Sequence, residues 1–200
     1  MSTETHSEAK HRGGIVVVSG PSGSGKTSLV TELLRDARFT YSISATTRAP
    51  RGAEVHGRDY LFISEDEFRR GIEEGRFLEW AEVYGRLYGT PRAELEHLLD
   101  AGRHVVLNID VQGAARLREQ GVPATYVFLA PPSMDVLERR LRGRNTDDEA
   151  TISRRLEVAR LEMAEAPRYD LVVVNDDLGR AAAEVRAFAL AKARVAEATA

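Results

Sequence analysis

Four apolar runs rich in β-branched residues punctuate the chain, at 15–18, 105–107, 126–129 and 171–174. Each is continuous rather than alternating, the pattern of strands buried on both faces. Stretches with helical spacing of apolar positions lie between or after them, at 27–36, 91–100, 112–119, 133–141, 147–165 and 179–195. Strands that alternate with helices predict a parallel sheet covered by helices on both sides, an α/β fold. The Ala/Val/Leu spacing of the last helix predicts packing against the sheet edge. Two regions break the alternation. Residues 41–90 mix short strand-like pieces (41–44, 60–63) with a helix-like one (66–73) and read as an insertion. Residues 139–155 are dense in arginine and broken by Gly143 and by Asn145 with Thr146, the pattern of a helix–loop–helix that can hinge.

The first apolar run leads directly into Gly20, Pro21, Ser22, Gly23, Ser24, Gly25, Lys26 and Thr27, and an amphipathic helix follows. Strand, G-x-x-x-x-G-K-[ST] and helix in that order form a phosphate-binding loop. Glycines let the backbone curl until its N–H groups point inward at a phosphate, and the helix start adds unpaired N–H groups and a positive dipole end. Lys26 reaches terminal phosphates, and the Thr27 hydroxyl can ligate Mg²⁺.

Composition narrows this reading. Two hundred residues with 42% hydrophobic content suit one domain with a real core. No apolar run approaches the ~20 residues of a membrane span. Residues 1–12 are polar and read as a loose tail without a signal core. The absence of cysteine excludes disulfides and thiolate metal sites and fits a cytoplasmic protein. A net charge of −3 gives no reason to expect nucleic acid. Lysine stands only at Lys10, Lys26 and Lys192; every other one of the 28 basic residues is arginine. A chain that otherwise chose arginine kept a compact ammonium in the phosphate loop.

Arg48 and Arg51, three apart, with Tyr60 shortly after, form either a clamp for a second phosphate or a solvated loop. Glu79, beside the only tryptophan, is either an ion-pair partner of an arginine or an acceptor for a polar ligand edge.

Beyond these residues, the order S-x-S-A-T-T-R-x-P-R (42–51), G-x-x-Y (57–60), F-x-E-W-A (77–81), Y-G-T (88–90) and D-x-Q-G (110–113) resembles the guanylate kinases over nearly the whole chain. The resemblance implies a phosphate-loop NTPase fold of the nucleoside monophosphate kinase type, with a parallel-sheet core, a monophosphate-binding insertion and a lid. The domain would span 13–195, with core 13–40, 91–138 and 156–195, insertion 41–90 and lid 139–155. It implies phosphoryl transfer from ATP to GMP, giving ADP and GDP, with Mg²⁺. ATP would lie on the loop from Gly20 to Thr27, Ser28 and Asn175. The GMP phosphate would be held by Arg48, Arg51, Tyr60 and Tyr88. Ser44, Glu79, Thr90 and Asp110 would read guanine, with the Ser44 and Thr90 hydroxyls donating toward O6. Arg140, Arg144 and Arg155 would close on the triphosphate, and Lys26, Arg48 and these three would stabilise the transferring group. A non-catalytic domain of the same family, or a kinase for another small phosphate acceptor, are the alternatives; the intact Gly25-Lys26-Thr27 argues against the first and the Glu79–Thr90 pairing against the second. The chain departs from the family pattern at Asn108, usually aspartate, at Asn145, usually glycine, and in the loop Gly52-Ala53.

Overall fold

A computed structural model of the chain describes residues 12–83, 85–143 and 148–198. The central strand β1 (Ile15–Ser19) is buried throughout. It pairs in parallel with β7 (His104–Asn108) on one side and β8 (Ala124–Ala130) on the other. β2 (Phe39–Tyr41) extends the sheet beyond β7, and β9 (Leu171–Val174) beyond β8, giving the order β2-β7-β1-β8-β9.

Alternation along β1 explains why its sequence is apolar without a break. Val16 and Val18 face a layer of α1 (Lys26–Leu33) and α7 (Leu178–Ala198), through Leu29, Leu33, Ala181 and Val185. Ile15 and Val17 face the opposite layer, built on α3 (Arg92–Asp100) and α4 (Val111–Glu119), where Leu95, Leu117, Phe128 and Tyr169 meet. Strand β9 departs from the expectation of two buried faces. Val173 is buried under α7, but Val172 and Val174 are 43% and 44% exposed, because β9 is the sheet edge and is covered on one side.

The insertion folds around a second sheet of order β4-β3-β6-β5: β3 (Ala45–Thr46), β4 (Leu61–Phe62), β5 (Phe77–Val83) and β6 (Arg86–Pro91). Helix α2 (Glu65–Glu73) closes it, with Phe68 fully buried and stacked on Phe77 at 4.3 Å between ring centroids. The sequence reading assigned no strand to the long antiparallel β5–β6 pair. Glu79, Trp80 and Glu82 interrupt the apolar signal of β5, and a bulge between Phe77 and Trp80 breaks its alternation. Pro91 ends β6 rather than opening a helix; α3 begins one residue later.

The arginine-dense segment contains α5 (Met134–Arg142) and α6 (Glu149–Ala164), packed together through Leu137, Leu141, Ile152 and Leu156. Residues 144–147, with Arg144 and Asn145, lie outside the described residues. No helix among the described residues is long and apolar enough to cross a membrane.

Most helix starts carry a side-chain cap: Ser64 for α2, Asp110 for α4, Ser133 for α5 and Asp148 for α6. Helix α1 has none, because its cap position is Gly25 in a left-handed conformation (φ 103°). Its first N–H groups are left to a ligand.

Phe128 of β8 is fully buried against Tyr169, with ring centroids 5.1 Å apart. Phe128→Ala is expected to cost about 3–5 kcal/mol of folding stability, measured by urea unfolding; a loss under ~1 kcal/mol would mean the core collapses around the gap.

Candidate active site

The site is built at the C-terminal ends of the parallel strands, the side on which such sheets bind ligands. The loop after β1 turns back so tightly that a side chain at Gly20 (φ 136°) would put its Cβ 2.4 Å from the Leu129 carbonyl oxygen. Within the loop, Ser24 is fully buried. The Lys26 ammonium folds over the loop, donating to the carbonyls of Gly20 (2.6 Å) and Pro21 (3.0 Å). Those bonds hold the ammonium against the loop's own backbone, where phosphate oxygens can take them over. Thr27 and Ser28 stand exposed in the first turn of α1.

Asn175, at the end of β9, is buried, and its amide donates to the Ser24 carbonyl at 2.7 Å. Arg140 of α5 donates to the same carbonyl at 3.1 Å and to the Asn175 carbonyl at 3.0 Å. Both residues therefore brace the outer side of the loop, where they line a cavity with Gly23, Gly25 and Ser28. The guanidinium of Arg140, expected to contact a triphosphate, here bonds to those two backbone carbonyls. Arg155 lies half-buried on α6. Arg144 is outside the described residues.

A second cavity of about 180 Å³ opens between the insertion and the ends of the core strands, lined by Ser44, Tyr60, Glu79, Tyr88, Asn108 and Asp110 among others. It adjoins the phosphate loop because Asn108 is level with Val18 across β7 and β1, and Ile109 donates to the Val18 carbonyl. Glu79 is 5% exposed, and among the described residues no arginine forms an ion pair or hydrogen bond with it. Its partner is Thr90, whose hydroxyl donates to it at 2.7 Å. The Thr90 hydroxyl thus orients the carboxylate rather than pointing at a ligand oxygen. Burial raises the Glu79 pKa to about 7; the Thr90 bond opposes that rise and the Asp110 carboxylate adds to it. Asp110 caps α4 by accepting from the Gly113 N–H at 2.7 Å. Asn108 puts an amide beside these two carboxylates where the family pattern has a third.

Next to this cavity a basic one is lined by Arg48, Arg51, Arg86 and Tyr88. Arg48 is 9% exposed and held bidentately by Glu54 at 2.9 and 3.0 Å. The guanidinium also lies over the Tyr60 ring, 5.4 Å from its centroid, and Tyr60 meets Tyr88 edge to face. Glu54 thereby fixes the Arg48 fork in one orientation.

Two residues escaped the sequence reading. Arg116 on α4 lies over the Trp80 ring and donates to the Trp80 carbonyl, tying β5 to the core helix next to Glu79. Glu162 on α6 is half-buried, and its pKa is raised to about 7. Burial is the main cause; Asp110 adds to it, while the Lys26 ammonium and the Ser22 backbone N–H oppose it. Glu162 follows Arg155 by seven residues, two turns along one helical face, and that spacing was the available signal.

No group of three or more His, Cys, Asp or Glu side chains among the described residues is arranged to hold a metal. The donor set fits Mg²⁺ nonetheless. This ion is usually held by one or two protein oxygens together with phosphates and water, and the exposed Thr27 hydroxyl at an uncapped helix start provides such an oxygen.

Raised carboxylate pKa values make charge in this site costly to the fold. Glu79 binds its proton more tightly folded than unfolded, so stability falls as pH rises from about 4.5 through 7. Glu79→Gln is expected to match wild type at pH 5 and to exceed it at pH 8 by on the order of 1–3 kcal/mol in urea unfolding. Equal stability at pH 8 would show that the charge is fully compensated.

The guanylate kinase family model matches residues 12–192. Among curated relatives, a guanylate kinase of Nitratidesulfovibrio vulgaris is 53% identical over 180 residues, covering 89% of this chain and 87% of its own. One from Rubrobacter xylanophilus is 50% identical, covering 87% and 92%. The crystal structure of a guanylate kinase from Anaplasma phagocytophilum superposes with a TM-score of 0.75 at 36% identity, covering 92% of this chain and 87% of the other. A gluconokinase from Sinorhizobium meliloti, 21% identical with a TM-score of 0.50, shares the fold alone. By its motifs, its architecture and these relatives, the chain belongs to the guanylate kinase family.

Proposed function

We propose that the chain transfers the γ-phosphoryl group of ATP to GMP, yielding ADP and GDP. One observation carries this reading. An uncapped phosphate loop and a cavity lined by the Glu79 and Asp110 carboxylates open side by side, since Asn108 is level with Val18 two residues before the loop and Ile109 donates to the Val18 carbonyl.

On the donor side, the loop N–H groups from Gly20 to Thr27 bind the β- and γ-phosphates of ATP. Lys26 exchanges its carbonyl partners for phosphate oxygens. Thr27 would hold Mg²⁺, directly or through water, and such an ion would supply neutralisation of charge on the transferring phosphates. Asn175 and Arg140 keep the loop in shape on the adenine side, beside Ser28.

On the acceptor side, Arg48, Arg51, Tyr60 and Tyr88 hold the GMP phosphate, with Glu54 keeping the Arg48 fork in place. Ionised Glu79 accepts the N1–H and the exocyclic amine of guanine, while Ser44 and Asp110 complete the base contacts. Adenine has an acceptor at N1 and no amine, so it leaves the buried carboxylate unpaired. The attacking atom is a phosphate oxygen, already nucleophilic near neutral pH, so no general base is required. We take residues 41–90 as the acceptor insertion and 139–155, with Arg140, Arg144 and Arg155, as a lid that excludes water on closure.

A coupled assay of ADP release should show GMP preferred over AMP, UMP and CMP by roughly 10⁴ in kcat/KM; comparable rates would remove the guanine reading. Lys26→Ala is expected to lower kcat at least about 10²-fold with unfolding unchanged. Because GMP needs ionised Glu79, kcat/KM for GMP should fall as pH drops below about 7. Glu79→Gln should flatten that limb and narrow the preference over AMP while leaving the ATP KM alone; an unaltered profile would make Glu79 structural.

A further inference from the structure

The β5–β6 hairpin presents one face to the two acceptor-side cavities. Strand alternation puts Glu79, Ala81 and Val83 of β5 on that face, and Arg86, Tyr88 and Thr90 of β6. Cross-strand register agrees, pairing Ala81 with Tyr88 and Val83 with Arg86. The other face, with Leu87 and Gly89, packs toward Phe68 and Phe77. Along β6 the cavity-side face therefore reads Thr90, buried and bonded to Glu79, then Tyr88, shared by both cavities, then Arg86 in the basic one. At about 3.3 Å per residue the row is roughly 13 Å long.

Charge at the far end of this row is unbalanced. Arg48 is neutralised by Glu54. The guanidinium groups of Arg51 and Arg86 have no hydrogen-bond or ion-pair partner among the described residues. Two unpartnered cations that line one cavity with Tyr88 and a fixed third guanidinium leave an excess of two positive charges. A phosphate monoester at pH 7 carries close to two negative charges.

We propose that Arg86 is a third arginine of the acceptor-phosphate site, binding the monophosphate of the incoming nucleotide beside Arg48 and Arg51. This rests on the reading of the site as a GMP site. Arg86 stands at the first position of β6, across from Val83, so the hairpin end places its fork. Strand β6 is then a ruler with a base-reading end and a phosphate-reading end, and it couples recognition of guanine to recognition of its phosphate through one rigid element. The side chain is exposed, so its contribution is smaller than that of the buried Arg48 and more sensitive to salt.

The test is calorimetric binding of GMP and of guanosine to wild type, Arg86→Ala and Arg86→Lys at fixed ionic strength. Arg86→Ala is expected to weaken GMP binding about 5- to 10-fold and leave guanosine binding within twofold. Arg86→Lys, which keeps the charge and loses the fork, should fall between. The GMP affinity of Arg86→Ala should also fall less steeply with added salt than that of wild type. Unchanged GMP affinity in Arg86→Ala would overturn the proposal and leave the GMP site standing. Equal weakening of GMP and guanosine would also overturn it, assigning Arg86 to the shape of the hairpin. If wild type fails to prefer GMP over guanosine, the acceptor site itself has been misread, and Arg86 falls with it.

Discussion

The close passage of the loop after β1 under the carbonyl of Leu129 constrains everything around it. A backbone at φ 136° with no room for a Cβ can be supplied only by glycine. The same turn forces Gly25 into the left-handed region and denies α1 a side-chain cap. An uncapped helix start next to an inward-curled backbone is an unfinished hydrogen-bonding surface. Asn175 and Arg140 reach the loop from the end of β9 and from α5, more than a hundred residues later, to fix one carbonyl, that of Ser24. The loop is thus completed on one side by the protein and on the other by the nucleotide.

The core sheet was legible in the sequence because its strands are buried on both faces and leave unbroken apolar runs. β9 shows the limit of that signal: four apolar residues read the same whether both faces are covered or one. The hairpin of the insertion was hidden for the opposite reason. Along β5 an acidic residue on each face, Glu79 and Glu82, and the bulge between Phe77 and Trp80 break the alternation that would have announced the strand. Individual site residues were legible as types. Their couplings were not: that Thr90 orients Glu79, that Glu54 orients Arg48, and that Glu162 sits near Lys26 are facts of tertiary placement.

Burial divides the charged residues into two kinds. Arg48 is buried together with a matched carboxylate and keeps its charge at little cost. Glu79 and Glu162 are withdrawn from water next to Asp110, and burial outweighs the pull of Arg116 on the first and of Lys26 on the second, so both resist ionisation. The first arrangement makes a rigid grip; the second makes carboxylates with acceptor capacity left over beyond the Thr90 hydroxyl on Glu79 and the Ser22 N–H on Glu162.

The near-exclusive use of arginine has a consequence for how the cleft responds to acidity. A guanidinium does not lose its proton at any pH a protein survives. The positive charge of the basic cavity is therefore constant across the physiological range. Burial brings two carboxylates, Glu79 and Glu162, into the range where protons come and go near neutral pH. Mild acid would leave the arginine charges intact while putting a proton on Glu79, the one group on which the proposed choice of base depends.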